Sequence, residues 1–184
     1  MPRIPFLAIL PPVAFAAIAG LFLGGVFRDD PDALPTAFKG QPAPAFEVAP
    51  IDGKTLLSQD MLSEPGVKLV NFWASWCAPC RVEHPNLMTL ADEGLAVLGV
   101  NYKDDETKAR AFLAELGDPY EAVGADPKGR AAIEWGVYGV PETFVVDGNG
   151  QVILRFAGPV TDVILEKRIR PAIEAALAES PDQQ

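Results

Sequence analysis

The chain has 184 residues, 49% of them hydrophobic and 22% charged, so about 100 to 150 residues can form one domain whose core needs no cross-links, with an appendage left over. Its formal charge is −10, and all 25 acidic residues lie after residue 27, as do 14 of the 15 basic ones. A soluble part this acidic argues against nucleic acid as a partner and against adhesion to anionic lipid headgroups.

The appendage comes first. Residues 4–27 contain no charged side chain and are bounded by Arg3 and by Arg28-Asp29-Asp30. As a helix this stretch reaches ~36 Å against a hydrocarbon core of ~30 Å, so it reads as a transmembrane signal-anchor. Pro11-Pro12 is expected to kink the helix, which a membrane span tolerates. Ala17-Ile18-Ala19 offers a signal-peptide cleavage site, but cutting there leaves the apolar residues 20–27 exposed on the mature N-terminus. Residues 1–3, carrying Arg3 and the free amine, are placed in the cytoplasm, which puts the domain on the side of the membrane where disulfides form. Residues 28–45, with Pro31, Pro35, Pro42 and Pro44, read as an extended linker.

From residue 46 short apolar runs alternate with helical patterns. Asp52-Gly53 marks a turn, and residues 46–48 and 55–57 on either side predict a hairpin. Residues 68–74 predict a buried central strand, and residues 77–91 a helix bent at Pro85. A strand over 95–102 and an amphipathic helix over 105–116, stopped by Gly117, come next. A short helix over 129–135 leads to a second hairpin, 143–146 and 151–156, joined by Asp147-Gly148-Asn149-Gly150. The last helix is expected over 161–178, which closes a domain spanning 46–178 and leaves 179–184 as a tail. This order describes an α/β domain with a central mixed sheet flanked by helices.

Cys77 and Cys80 are the two cysteines of the chain, spaced Cys-x-x-Cys where the central strand runs into a helix. The first thiol then sits at a helix N-terminus, where unpaired N–H groups and the helix dipole favour thiolate, and the second lies one turn inside, placed to close a disulfide. Zinc would require four ligands, whereas Cys77, Cys80 and the single histidine, His84, supply three. A disulfide closing so short a loop is a poor staple for the fold. A redox pair is the reading that remains, and it calls for no metal and no cofactor. Pro79 stiffens the loop between the thiols. Trp76, next to the attacking thiol, is a candidate substrate contact, and Trp73 is either a flank of the site or core. His84 reads as covering the helix surface, and Arg81 and Lys103 as solvated.

The run Phe72-Trp73-Ala74-Ser75-Trp76-Cys77-Ala78-Pro79-Cys80, with Val140-Pro141-Glu142-Thr143 before a later strand, resembles the thioredoxin superfamily. More narrowly, the peptides 99–105 and 136–144 (Gly-Val-Tyr-Gly-Val-Pro-Glu-Thr-Phe in the second) look like the cytochrome c maturation thioredoxin-like proteins, the CcmG/DsbE family; the resemblance covers residues 38–178. It implies a thioredoxin-like fold and a membrane-tethered periplasmic thiol–disulfide oxidoreductase of the cell inner membrane. Such a protein is kept reduced by a transmembrane thiol carrier of the CcdA/DsbD type and reduces the Cys-x-x-Cys-His thiols of apocytochrome c, or a partner thiol protein of that pathway. It also implies that Pro141 is a cis-proline facing the disulfide and that the backbone of Val140 pairs with an extended substrate.

The chain departs from the superfamily at one telling position. Thioredoxins usually carry a buried aspartate six residues before the first cysteine, and here the residue is Asn71, which cannot take a proton. Glu83, one helical turn after Cys80, and Glu142, beside Pro141, are the expected acids for proton transfer and for tuning the thiols. Two rivals stand beside the reductant: a general thiol–disulfide exchange protein, and a non-catalytic module that docks apocytochrome. A peroxidase is disfavoured because Ala74 stands where that family would place a threonine.

Overall fold

Lys68–Trp73 forms β1, and all six of its residues are buried, as an apolar strand covered on both faces requires. In the computed structural model, which describes residues 6–26 and 39–179, β1 is the centre of a five-stranded sheet. On one side it pairs in parallel with β2 (Ala96–Tyr102), which pairs in parallel with β3 (Ala122–Asp126). On the other side it pairs antiparallel with β4 (Glu142–Val146), which pairs antiparallel with β5 (Val152–Ala157). The resulting order β3-β2-β1-β4-β5 is the expected mixed sheet of a thioredoxin-like fold.

Strand alternation divides the core in two. Leu69, Trp73, Val97 and Val145 point to one face, where they pack with Leu87 and Leu90 of α2 (Ala78–Asp92), Phe112 of α3 (Glu106–Leu116) and Ala176 of α6 (Arg170–Glu179). Val70, Phe72, Val100 and Phe144 point to the other, against α4 (Arg130–Glu134) and Trp135. Asp105 starts α3 by accepting from the Lys108 N–H at 3.1 Å, and Gly117, at φ 95°, ends it.

Three expectations are corrected. The turn at Asp52-Gly53 forms, with the Lys54 N–H on the Ile51 carbonyl at 3.1 Å, but the segments around it do not pair with each other. Both pair with β3 instead, Ala49 with Ala125 and Leu56 with Val123, because the edge strand offers them unpaired backbone groups. β3 itself escaped prediction: Ala-Val-Gly-Ala-Asp lacks a β-branched run, and Gly124 is present because a Cβ there would fall 2.3 Å from Val48. The third concerns the last helix, which is interrupted. α5 (Asp162–Ile164) widens into a π turn, Leu165–Ile169, before α6. Pro171 lies just beyond, without an N–H and with a ring that would clash with the carbonyl of residue 167 in a regular helix; the wider turn accommodates it.

Residues 39–43, within the proline-rich stretch, lie against the start of β5 and the turn before it: the Gly40 N–H donates to the Val152 carbonyl at 2.8 Å and the Ala43 N–H to the Gly150 carbonyl at 2.7 Å. The N-terminal unit, residues 1–34, contains α1 (Phe6–Val26) with Pro11 and Pro12 inside it, and exposes Leu10, Phe15, Leu21 and Phe22. Among the described residues, whose side chains in α1 run from 10 to 22, no helix is long and apolar enough to cross a membrane. The expected cytoplasmic residues 1–3, most of the linker and the end of the tail lie outside the described residues.

Candidate active site

The chain leaves β1 at Trp73, turns through Ala74, Ser75 and Trp76, and enters α2 at the cysteines. Cys77 is the N-cap of that helix: its Sγ accepts from the Cys80 N–H at 3.1 Å, and the Cys77 N–H donates to Ala74 at 3.2 Å. Pro79 falls in the first turn, where its missing N–H costs nothing. A disulfide joins Cys77 to Cys80, with both residues buried, so the structure is that of the oxidised protein. A sulfur at this position meets the positive end of the helix dipole, which stabilises a thiolate once the bridge opens.

Two residues that sequence reasoning missed hold the approach to Cys77. Asp104 accepts from the Ser75 N–H at 2.6 Å, the Ser75 hydroxyl at 2.7 Å and the Asn101 amide at 3.0 Å. The carbonyl of Lys103, a non-glycine residue at φ 45°, accepts from Trp76 Nε1 at 3.1 Å. Trp76 is thereby held at its indole nitrogen while 58% exposed beside the disulfide. The signal was present in the pair Asp104-Asp105: one aspartate caps α3, which leaves the other for a partner distant in sequence.

Glu83 and Glu142, which the sequence pairs, sit on opposite faces of the sheet. Glu83, one turn along α2 from Cys80, is fully buried; its carboxylate accepts from Asn71 Nδ2 at 2.9 Å and from the Val160 N–H at 3.0 Å. Burial pushes its pKa up to about 7, against those two hydrogen bonds, which favour the charged form. The residue that cannot replace the superfamily's aspartate thus binds the acid that does stand behind the cysteines. Glu142 is also buried, on the face shared by Phe144. One of its oxygens accepts from Arg155 Nε at 2.8 Å and the other from the Tyr138 N–H at 2.7 Å. Arg155 also donates to the Gly136 carbonyl at 2.5 Å and lies 4.8 Å over the Tyr138 ring, so the pair fastens the loop that leads to Pro141.

The Val140–Pro141 peptide bond is cis, with Val140 half-buried and Pro141 buried. Since Phe72 pairs with Glu142, this bond lies at the edge of the sheet from which the chain departs for Cys77. Trp73 is core: it stacks on Tyr120 with ring centroids 5.3 Å apart. His84, expected at the helix surface, is buried; its Nε2 meets the Gly117 carbonyl at 3.0 Å, its ring lies edge-on to Phe112, and burial lowers its pKa. Arg81 and Lys103 are exposed, Arg81 in an ion pair with Glu115 at 3.0 Å. Among the described residues, no three His, Cys, Asp or Glu side chains are grouped to hold a metal ion.

Comparison with known proteins agrees with this chemistry. The Redoxin family model matches residues 38–170. The chain is 51% identical over 178 residues to a thiol:disulfide interchange protein DsbE homolog of Paracoccus denitrificans, covering 97% of this chain and 99% of that one. It is 47% identical to the thiol:disulfide interchange protein HelX of Rhodobacter capsulatus, covering 91% and 95% of the two chains. A crystal structure of a candidate DsbE from Chlorobium tepidum superposes with a TM-score of 0.63 at 32% identity, over 76% of this chain and 97% of that one. A buried Cys-x-x-Cys disulfide at a helix N-terminus in this fold is the working part of a thiol–disulfide oxidoreductase. The chain belongs to the Redoxin family and, within it, to the DsbE-type thiol:disulfide interchange proteins.

Proposed function

We propose that the protein is a membrane-anchored periplasmic reductant of cytochrome c maturation, acting on the Cys-x-x-Cys-His disulfide of apocytochrome c or on a thiol protein of that pathway. The observation that carries the reading is the fully buried Glu83, held by Asn71 and Val160 one turn behind Cys80. A resolving thiol must lose its proton, and a carboxyl poised near neutrality is matched to receive it. The cytochrome-specific part rests on the family resemblance of residues 136–144, which include the loop fastened by Glu142 and Arg155.

In the proposed cycle Cys77 thiolate attacks a substrate disulfide and expels one substrate thiolate. Cys80, deprotonated by Glu83, then attacks the mixed disulfide at Cys77. The second substrate thiolate leaves, and the Cys77–Cys80 bridge seen here is the oxidised product. Trp76 and the Val140–Pro141 segment line the approach of the substrate, and Glu142 acts on proton transfer only through the loop it holds. A transmembrane thiol carrier of the CcdA/DsbD type restores the dithiol. Residues 4–27 anchor the chain with the domain in the periplasm, a reading supported by their lack of charge and by the apolar side chains exposed on α1.

Equilibration with glutathione tests the direction of electron flow. The expected potential of the Cys77–Cys80 couple is more negative than about −200 mV, and a value near about −120 mV, that of a strong oxidant, overturns the reading. The reduced protein is expected to reduce a disulfide-closed Cys-x-x-Cys-His peptide faster than a Cys-x-x-Cys peptide of unrelated sequence. Equal rates favour the general exchange protein, and no reduction of either favours the docking module. Retention of the protein in membranes after alkaline washing, with its N-terminus intact, tests the anchor; a soluble product beginning near Gly20 sinks it.

A further inference from the structure

Behind the disulfide, four buried polar side chains are joined by hydrogen bonds: Glu83, Asn71, Thr143 and Tyr120. The Tyr120 hydroxyl donates to Asn71 Oδ1 at 2.8 Å, while Asn71 Nδ2 donates to Glu83 at 2.9 Å and to Thr143 Oγ1 at 3.1 Å. An amide accepts at one end and donates at the other, so the group at its far end decides which end meets Glu83. A buried phenol hydrogen without an acceptor is costly, and Asn71 Oδ1 is the acceptor it has among the described residues.

We propose that Tyr120 is a positioning residue for the thiol–disulfide site: its hydroxyl locks the Asn71 amide with Nδ2 toward Glu83 and so keeps a fixed donor on the carboxylate. The inference deepens the reading of Glu83 as the proton acceptor of Cys80 and rests on it. The ring is placed by contacts that do not need the hydroxyl. It lies on Gly99, where a Cβ would come within 2.8 Å of it, and stacks on Trp73 at an interplanar angle of 17°. Phenylalanine would satisfy both contacts, which leaves the hydroxyl free for a separate task.

The groups around Glu83 on each packed element are few. From α2 come the cysteines, which do not titrate while bridged, and His84, turned to the Gly117 carbonyl. From β1 and β4 come the neutral Asn71 and Thr143, and from the segment before α5 the Val160 N–H. Tyr120 approaches from the loop before β3, its own ionisation pushed far up by burial and then by the charges of Glu83 and Asp118. Without the phenol, the amide is free to turn Oδ1 toward Glu83, where it accepts from a protonated carboxyl and repels a charged one.

The test is a carbon-13 NMR titration of the Glu83 carboxyl in the oxidised full chain, held in detergent micelles. The wild-type midpoint is expected at about 7, and Tyr120→Phe should raise it by about one pH unit, the size of one hydrogen bond to a charged group. Asn71→Ala, which removes the donor outright, should raise it too, while Trp73→Phe, which disturbs only the packing of the ring, should leave it in place. An unchanged or lowered midpoint in Tyr120→Phe or Asn71→Ala overturns the proposal, as does a rise of equal size in Trp73→Phe. The pH profile of mixed-disulfide decay is measured alongside. If the carboxyl midpoint rises and the decay profile does not follow, the positioning by Tyr120 stands and the role of Glu83 as proton acceptor falls.

Discussion

Asn71 donates its side-chain amide to Glu83 across 2.9 Å, which links the central strand to an acid carried by the helix of the cysteines. The acid is lifted by burial to about 7 from an ordinary value of 4.5, so the native state holds a proton that the unfolded chain releases between these two values. Its stabilising contribution is complete below the unfolded pKa and is lost as pH rises through 7. The loss amounts to ~3 kcal/mol. His84 has the opposite sign, since its pKa is lowered on folding and its contribution is lost as pH falls below 6.5. Comparing the oxidised wild type with Glu83→Gln separates the two. From pH 4 to pH 8 the variant should gain ~3 kcal/mol relative to wild type in urea unfolding, and a difference that stays flat with pH refutes the assignment.

The order of attack is open to trapping. Cys77 caps the helix and lies next to the exposed Trp76, whereas Cys80 is enclosed within α2. Cys80→Ser should accumulate mixed disulfides with partner proteins, and Cys77→Ser should accumulate none. The reverse pattern exchanges the roles.

Arg155 and Glu142 form an ion pair whose side chains are 6% and 2% exposed. Removing one partner strands the other charge in the core, so Arg155→Leu should cost about 3 to 5 kcal/mol, and Arg155→Leu with Glu142→Gln should recover part of it. Both variants should raise KM for a disulfide peptide, because the loop before Pro141 loses its fastening. The reduction potential should stay near that of wild type, since the pair is on the far face from the cysteines. Urea unfolding and steady-state kinetics measure the three effects, and an unaltered KM rejects the loop's part in substrate binding.

Asp104 holds the turn before Cys77 through Ser75. Asp104→Ala removes those acceptors and should cost about 1 to 3 kcal/mol. The adjoining Lys103 carbonyl should lose its grip on the Trp76 indole, which is readable as a fall in the heteronuclear NOE of that N–H. If the indole stays as rigid as in wild type, the Lys103 carbonyl holds it without help from Asp104.

The parts legible in the sequence were those with a strong local period or a motif confined to one segment. The buried run of β1, the Cys-x-x-Cys at the start of α2 and the Asp105 and Gly117 limits of α3 are of that kind. β3 was not legible because its five residues become a strand only by pairing with β2 and with the segments at Ala49 and Leu56. Asp104 was missed because Ser75 is 29 positions away. The separation of Glu83 from Glu142 could have been found by alternation along β4: Thr143 shares the face of Asn71, which puts Glu142 on the other. The burial of His84 had no local signal, since it depends on Phe112 and the Gly117 carbonyl closing over α2.

The outer strand β3 is met along its free edge by the segments at Ala49 and Leu56, while residues 39–43 meet β5 at its first residue, Val152, and at Gly150 in the turn before it. An open strand edge would template any chain with unpaired main-chain groups into a growing sheet. With backbone partners supplied from within its own chain, β3 is closed to such pairing.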